Sequence, residues 1–308
     1  MTEDYPVPAD LVERFVAGHV YGLPWNVDEA LIAAGAKKRP GPLKVSTIRR
    51  RLVGLIKEHE ARGLDNTFRT PRLKALLIGA RRYELKNGVQ RKWARAIVAT
   101  TLDRMIDTWR SPKSLTDLRN IAMLALAFYS GGRRSAEIRF ALAENLVRFR
   151  GGYKYWLHIS KTDQAGKGSE KIIRWPHARH IERWLTASGI RDGYLFRRVM
   201  GDTITADPVG KNTLTDVIKS RIEAIGEDPR HYSAHSLRRG FLTQCGIEGV
   251  PFSEAMECSG HKDVKTAMLY YQQGTMEQNR ATKIHQHKKK SDRQPRNQTR
   301  HTGGSSRE

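Results

Sequence analysis

Residues 118–138 read LRNIAMLALAFYSGGRRSAEI. From Leu118 to Tyr129 the run is apolar nearly all round, and a helix without a polar face has to be enclosed by other elements. The stretch therefore predicts a buried helix inside a domain large enough to surround it. Gly131-Gly132 stops that helix, and Arg133 and Arg134 follow at once, with Glu137 three residues beyond Arg134. A lone arginine after a helix is ordinarily a surface charge. Two of them at the edge of a core, with an acid in register, ask what else the chain brings to the same place.

Downstream, Tyr153, Tyr155, Leu157 and Ile159 alternate with Lys154, Trp156 and His158, the two-residue period of a strand with unlike faces. Lys161 to Gly168 reads as a turn and Lys171 to Trp175 as the returning strand. After Pro176 the pattern is helical to the end of the ordered region. Ala234-His235-Ser236-Leu237-Arg238-Arg239-Gly240 puts His235 and Arg238 three apart, on one helix face. Ser259-Gly260-His261 then precedes a helical run, Val264 to Tyr271, that carries two tyrosines. Adjacent helical residues point about 100° apart, so Tyr270 and Tyr271 cannot serve the same spot. His261 and Tyr270 are nine residues apart and need a bend between them to converge. Cys258 and His261 have half the spacing of a zinc site, but no second pair sits at finger spacing.

Upstream, residues 1–40 hold Leu11, Phe15 and Val16 at helical spacing and end in the structure-breaking loop Lys37 to Pro42. A helix is predicted from Ser46, with Ile48, Leu52, Leu55 and Ile56 on one side, and a second through Leu73, Leu76 and Leu77 to Arg81-Arg82. Asn87-Gly88 interrupts it and marks a domain boundary. Thr100 and Asp103 have the spacing of a capping box, starting a helix that ends near Ser111-Pro112. The expected organisation is an N-terminal extension (1–40), a helical region (41–87, with a contribution from 1–40), a larger domain (88–285) and a basic tail (286–308). The fold class is mostly α in two domains, with a small antiparallel β-sheet in the second; 308 residues suffice for both.

The formal net charge is +23. The last 28 residues hold +6 of it, which leaves +17 on the rest, so the folded part is itself basic. Such an excess favours a polyanion, most simply nucleic acid, through phosphate contacts and counterion release. Arg49, Arg50, Arg51, Arg81, Arg82 and Arg239 are the candidate DNA-backbone contacts; a solvated helix face is the alternative reading of each. The longest apolar stretch, Ile121 to Tyr129, falls far short of the ~20 residues that span a bilayer. The N-terminus opens on Glu3 and Asp4 rather than on the basic-then-apolar order of a signal peptide. Two cysteines make no disulfide framework. The expected location is the cytoplasm, with the nucleoid.

Breaking a phosphodiester without a metal requires a nucleophile for phosphorus, fixed cations for the two non-bridging oxygens, a proton donor for the departing oxygen and an acceptor for the nucleophile's proton. Residues of each type lie in the clusters quoted above. With those clusters in hand, the chain resembles the tyrosine recombinase (phage integrase) family, in its Cre-like branch. The family's Arg-x-x-Glu box matches Arg134 to Glu137, and its His-x-x-Arg box matches His235 to Arg238. Gly-His followed nine residues on by Tyr matches Gly260-His261 to Tyr270. The family's lysine between two strands falls on Lys161, in Ser160-Lys161-Thr162. The resemblance covers about Lys44 to Tyr271 and is firm after Leu118.

The resemblance implies a site-specific recombinase that cuts and rejoins DNA without ATP, metal or other cofactor. Tyr270 would form a 3′-phosphotyrosyl link, Arg134 and Arg238 would clamp the phosphate, and Lys161 would protonate the leaving 5′ oxygen. His235 would help move the phenolic proton, which an unperturbed phenol gives up only near pH ~10. His261 would hydrogen-bond the phosphate, and Glu137 would hold the side chains around it. Arg133, Lys167 and Tyr271 compete with Arg134, Lys161 and Tyr270 for their roles. The implied assembly is a homotetramer on double-stranded DNA, each protomer a C-shaped clamp, with a C-terminal helix (about Gln273 to Lys288) docking on a neighbour. A topoisomerase-like or telomere-resolving enzyme and a catalytically silent DNA-binding protein are the alternatives.

Overall fold

The computed structural model describes residues 5–66, 68–89, 94–109, 111–112, 114–157 and 168–276. The chain forms two compact units, Met1–Lys92 and Trp93–Glu308. The first is built from α1 (Ala9–Tyr21), α2 (Trp25–Ala33), α3 (Val45–Ala61) and α4 (Pro71–Lys86). Helix α4 starts as its sequence dictates: the Thr70 hydroxyl accepts the Leu73 amide at 3.0 Å, and Pro71 occupies the first turn, where no amide is needed. Val12, Val16 and Val20 of α1 pack on Ile48 and Leu52 of α3 and on Leu73 and Ala80 of α4. Of the apolar positions at helical spacing, Val16 is buried while Leu11 faces solvent. The loop after α2 is tied down from within. Buried Asp28 pairs with buried Lys37 and accepts the Gly41 amide at 2.6 Å.

The second unit comprises α5 (Ala99–Asp107), α6 (Leu115–Tyr129), α7 (Ser135–Arg139), β1 (Leu146–Phe149), β2 (Gly152–Leu157), β3 (Ser169–Arg174), α8 (Ala178–Ser188), β4 (Arg197–Met200), β5 (Thr203–Pro208), α9 (Thr213–Ala224), α10 (Ala234–Ile247), α11 (Phe252–Ser259) and α12 (Val264–Thr275). Helix α6 runs through its core, with every residue from Ile121 to Phe128 buried. Strands β1, β2 and β3 form one antiparallel sheet in that order, and Tyr155 sits opposite Leu146 on one side and Lys171 on the other. On β2, Tyr153, Tyr155 and Leu157 face the core while Trp156 faces out, as the two-residue period predicts. Among the described residues no helix is long and apolar enough to cross a membrane.

Three expectations are corrected. Helix α5 begins at Ala99 with Val98 at its cap, so Thr100 lies inside the first turn and makes no cap. The Ala99 amide is satisfied at 2.9 Å by the Gln244 side-chain oxygen on α10, a tertiary partner that displaces the local one. The helix also ends at Asp107, four residues early. Finally, the stretch after Pro176 is not helical throughout: β4 and β5 pair as a hairpin around Gly201, which adopts a positive φ of 60°. The Gly201-Asp202 pair was the available signal. Neither strand holds a buried residue, so the pair carries no apolar period.

Because Gln244 rather than Thr100 caps α5, the two should differ in urea titrations. Thr100→Ala is expected to leave stability within about 0.5 kcal/mol of the unsubstituted protein, and Gln244→Ala to cost roughly 0.5–1.5 kcal/mol for the lost hydrogen bond.

Candidate active site

Two turns meet in the second unit, one after α6 and one after α11. Gly131 and Gly132 both take positive φ, 100° and 73°, which glycine adopts without penalty. They also lack the side chain that would collide. A Cβ on Gly132 would lie 2.5 Å from the Arg238 Cα, and one on Gly131 would lie 2.3 Å from the Cys258 carbonyl oxygen. The glycine pair is therefore what lets the turn after α6 press onto α10 and onto the end of α11.

The arginines bind the two turns together. Arg133 is 2% exposed, and its Nη2 donates to the carbonyls of Gly131, Cys258 and Ser259 at 3.0, 3.0 and 3.1 Å. Arg238, on the first turns of α10, donates from Nη1 to the Gly132 carbonyl at 3.1 Å and from Nη2 to the Gly260 carbonyl at 3.2 Å. Arg134 caps α7, and its amide donates to Glu137 Oε2 at 2.9 Å. The buried Glu137 carboxylate lies 3.8 Å from Arg134 Nη1 and 4.0 Å from Arg133 Nη1. Arg134 Nη1 is buried with no hydrogen-bond partner among the described residues, while 27% of its side chain stays exposed. Of the two adjacent arginines, Arg133 is consumed as a strap and Arg134 retains donor capacity.

Burial, then the charges of Arg133 and Arg134, pulls the Arg238 guanidinium down to about 10, still protonated at neutral pH. His261 lies in the turn between α11 and α12, the bend that the nine-residue separation requires. Its Nδ1 is 2.8 Å from the Ser259 hydroxyl, and its ring meets the Tyr270 ring edge-on with centroids 6.5 Å apart. Burial first, then Arg238, Arg134 and Arg133, drives its imidazole down to about 3, so it is neutral at physiological pH. His235 is exposed on the first turn of α10. The hydroxyl of Tyr271 donates to the Val250 carbonyl at 2.6 Å and its ring packs on Phe252, so Tyr271 belongs to the core beneath α12. Lys161, its rival Lys167 and the tail 286–308 lie outside the described residues.

Sequence reasoning missed Lys171 of β3. It is 7% exposed and donates to the Glu257 carbonyl at 3.2 Å, and burial lowers its pKa, with Arg133 adding to the effect. Its place in an alternating strand was the only signal. Among the candidate DNA contacts, Arg49, Arg50 and Arg82 are exposed in the first unit. Arg51 is spent on the Ala36 carbonyl at 2.5 Å and Arg81 on Glu84 at 2.8 Å. Arg239 is likewise engaged inside the second unit, with Gln273 and the Ala94 carbonyl.

The sequence model of the phage integrase family matches residues 96–277, more than half of the chain. An integrase/recombinase XerD homolog of Selenomonas ruminantium is 26% identical over 243 residues, covering 76% of this chain and 70% of its own length. The recombinase Cre of Escherichia phage P1 is 27% identical over 244 residues, covering 74% and 71%. Among solved structures, the XerH site-specific recombinase in a post-cleavage complex with a palindromic difH substrate superposes with a TM-score of 0.58 at 16% identity, over 91% of this chain and 72% of that one. That likeness is one of fold.

Two outcomes follow from the site. Gly132→Ala should lose roughly 1–3 kcal/mol of stability from its positive φ alone, with the collision against Arg238 adding to the loss, as thermal unfolding would show. His261 has its folded pKa, about 3, below the ordinary 6.5. Between those values the unfolded chain binds the extra proton, so this group makes stability fall as pH drops from 6.5 toward 3. Denaturant titrations at several pH values should find that His261→Asn flattens this acid slope and leaves the slope above pH 7.5 unchanged.

Proposed function

This chain belongs to the phage integrase family, and from that premise we infer that it cuts and rejoins DNA strands at specific sites through a covalent bond to Tyr270. The observation that carries the reading is the meeting of Arg134, Arg238 and His261 at two joined turns, with the Tyr270 ring beside His261. Three guanidinium groups face one carboxylate there, so the pocket holds surplus positive charge where a phosphodiester anion would bring the counterion. Fixed cations in a partly buried site stabilise charge that grows on the non-bridging oxygens, without reorganising at the moment of reaction.

The chemistry balances within the chain and the DNA. The Tyr270 oxygen bonds to phosphorus, the bond from phosphorus to the 5′ oxygen breaks, and a 3′-phosphotyrosyl link and a free 5′-hydroxyl result. His235, exposed on α10, accepts the phenolic proton, and Lys161 supplies one to the leaving oxygen. Rejoining is the reverse attack by a 5′-hydroxyl from the same or another duplex. One phosphoester replaces another, so no ATP is consumed. Arg134 and Arg238 hold the non-bridging oxygens through planar, directional donors. Glu137 fixes the Arg134 backbone and lies between the Arg133 and Arg134 side chains.

His261 contributes as a neutral donor. The Ser259 hydroxyl is nearer to its Nδ1, at 2.8 Å, than to the Met256 carbonyl, at 3.2 Å. When that hydroxyl donates to Nδ1, the proton of the neutral ring sits on Nε2, where it can be given to a phosphate oxygen. Exposed Arg49, Arg50 and Arg82 supply phosphate contacts in the first unit. The partner is double-stranded DNA, and exchange between two sites calls for four protomers, two on each.

The test uses nicked duplexes recovered from a random pool by binding to the protein, with the adduct resolved on denaturing gels and mapped by mass spectrometry. The unsubstituted chain is expected to yield an adduct on Tyr270, Tyr270→Phe none, and Tyr271→Phe an adduct at a rate within a few-fold. Arg134→Ala and Arg238→Ala should slow adduct formation by at least ~100-fold, as loss of one charge-stabilising donor does elsewhere. An adduct mapped to Tyr271 would refute the assignment.

A further inference from the structure

We propose that Arg239, the residue after the clamp arginine, is a positioning residue for the Tyr270 ring rather than a DNA contact. The inference rests on the reading of Tyr270 as the nucleophile. The Arg239 guanidinium carbon lies 5.2 Å from the centre of the Tyr270 ring, over its face. A cation within about 6 Å of a ring centroid is attracted by the negative face of the aromatic system. The same guanidinium is held in place by its hydrogen bonds. Nε and Nη2 donate to the Gln273 side-chain oxygen at 3.2 and 2.5 Å, and Nη1 donates to the Ala94 carbonyl at 2.7 Å.

Gln273 stands three residues after Tyr270, on the same face of α12. The group therefore grips the tyrosine's own helix and lies on its ring at once, while its backbone adjoins Arg238. Helices α10 and α12 are pressed together along the same line. A Cβ on Gly274 would fall 1.9 Å from the Thr243 carbonyl oxygen, and the Thr243 hydroxyl donates to the Tyr270 carbonyl at 3.0 Å. Backbone packing thus sets where α12 lies, and Arg239 sets how the Tyr270 ring stands on it. Clamp arginine and nucleophile are registered to each other through adjacent residues of α10. A near-attack geometry is sensitive to shifts of about 1 Å, so loosening this ring should slow the chemical step and leave DNA binding alone.

Single-turnover adduct formation and equilibrium binding are to be measured on the same selected nicked duplex, over a range of salt. Arg239→Ala should lower the adduct rate at least ~10-fold, with an unchanged Kd and an unchanged dependence of Kd on salt. Arg239→Lys, which keeps the charge but not the fork, should recover only part of the rate. Gln273→Ala should slow the reaction in the same direction, and the double variant should be no slower than Arg239→Ala, because both act through one unit. A DNA-backbone role predicts the reverse: weaker binding, a salt slope smaller by about 0.9, and a near-normal rate once the duplex is saturated. That outcome overturns the proposal, and so does an unaltered rate in Arg239→Ala. No adduct from the unsubstituted chain would instead refute the nucleophile reading, and this proposal with it.

Discussion

Three guanidinium groups share one carboxylate at the heart of this molecule. Arg133, Arg134 and Arg238 repel one another, and Glu137 offsets only one positive charge. Burying such a cluster is unfavourable unless its hydrogens find acceptors. Those of Arg133 and Arg238 find them largely on the main chain: the carbonyls of Gly131, Gly132, Cys258, Ser259 and Gly260 take five hydrogen bonds, while Arg133 Nε and Arg134 Nη1 have no partner among the described residues. Carbonyl oxygens solvate a cation without neutralising it. The cluster is thus held in place with its charge intact, as a phosphate site requires.

The same five bonds are what join the two turns. Arg134 projects from one of them and His261 from the other, so both are placed by the bonds that Arg133 and Arg238 make. The arrangement works only because the main chain can come close enough, and Gly131 and Gly132 are the local condition for that. Division of labour between neighbouring residues recurs throughout. Arg133 straps and Arg134 stays available; Tyr271 packs and Tyr270 stands beside His261; Arg238 joins the turns and Arg239 lies over the Tyr270 ring. In the two pairs that lie on helices, Arg238–Arg239 and Tyr270–Tyr271, the rotation of about 100° turns adjacent side chains to different partners, whereas Arg133 and Arg134 are parted by the extended backbone that precedes α7.

That division explains which parts were legible in the sequence. Helix α6 was legible because Ile121 to Phe128 has no polar face to expose, and β2 because Tyr153, Tyr155 and Leu157 alternate with polar neighbours. The three boxes could be proposed because each is a spacing within a short stretch, Arg134 to Glu137, His235 to Arg238 and His261 to Tyr270. What could not be read were the effects of partners remote in sequence. Thr100 looked like a cap until Gln244, 144 positions away, took the amide at the start of α5. Arg51 and Arg239 looked like candidates for phosphate because nothing local distinguishes a solvated arginine from one bonded to a distant carbonyl or carboxamide; Arg81 pairs with Glu84 three residues on, a spacing that was there to be read. The β4–β5 hairpin carries no apolar period, so only its glycine turn marked it. Lys161, the one member of the expected set in a turn between strands, lies outside the described residues.

The charge cluster also governs the histidine. Burial first, and then the arginines, keep His261 neutral at any pH near 7. A bound phosphodiester brings a negative charge to the same place, and that charge favours imidazolium as strongly as the arginines oppose it, distance for distance. Its proton affinity would therefore rise as a phosphodiester enters. A group with no tendency to hold an extra proton beforehand is a hydrogen-bond donor in the ground state. It would become a better one as negative charge accumulates on the non-bridging oxygens in the proposed transition state. On the proposed reading, the residues that would bind the phosphate and the residue that would respond to its charge form one electrostatic unit, and the two glycines in the turn after α6 are what allow it to assemble.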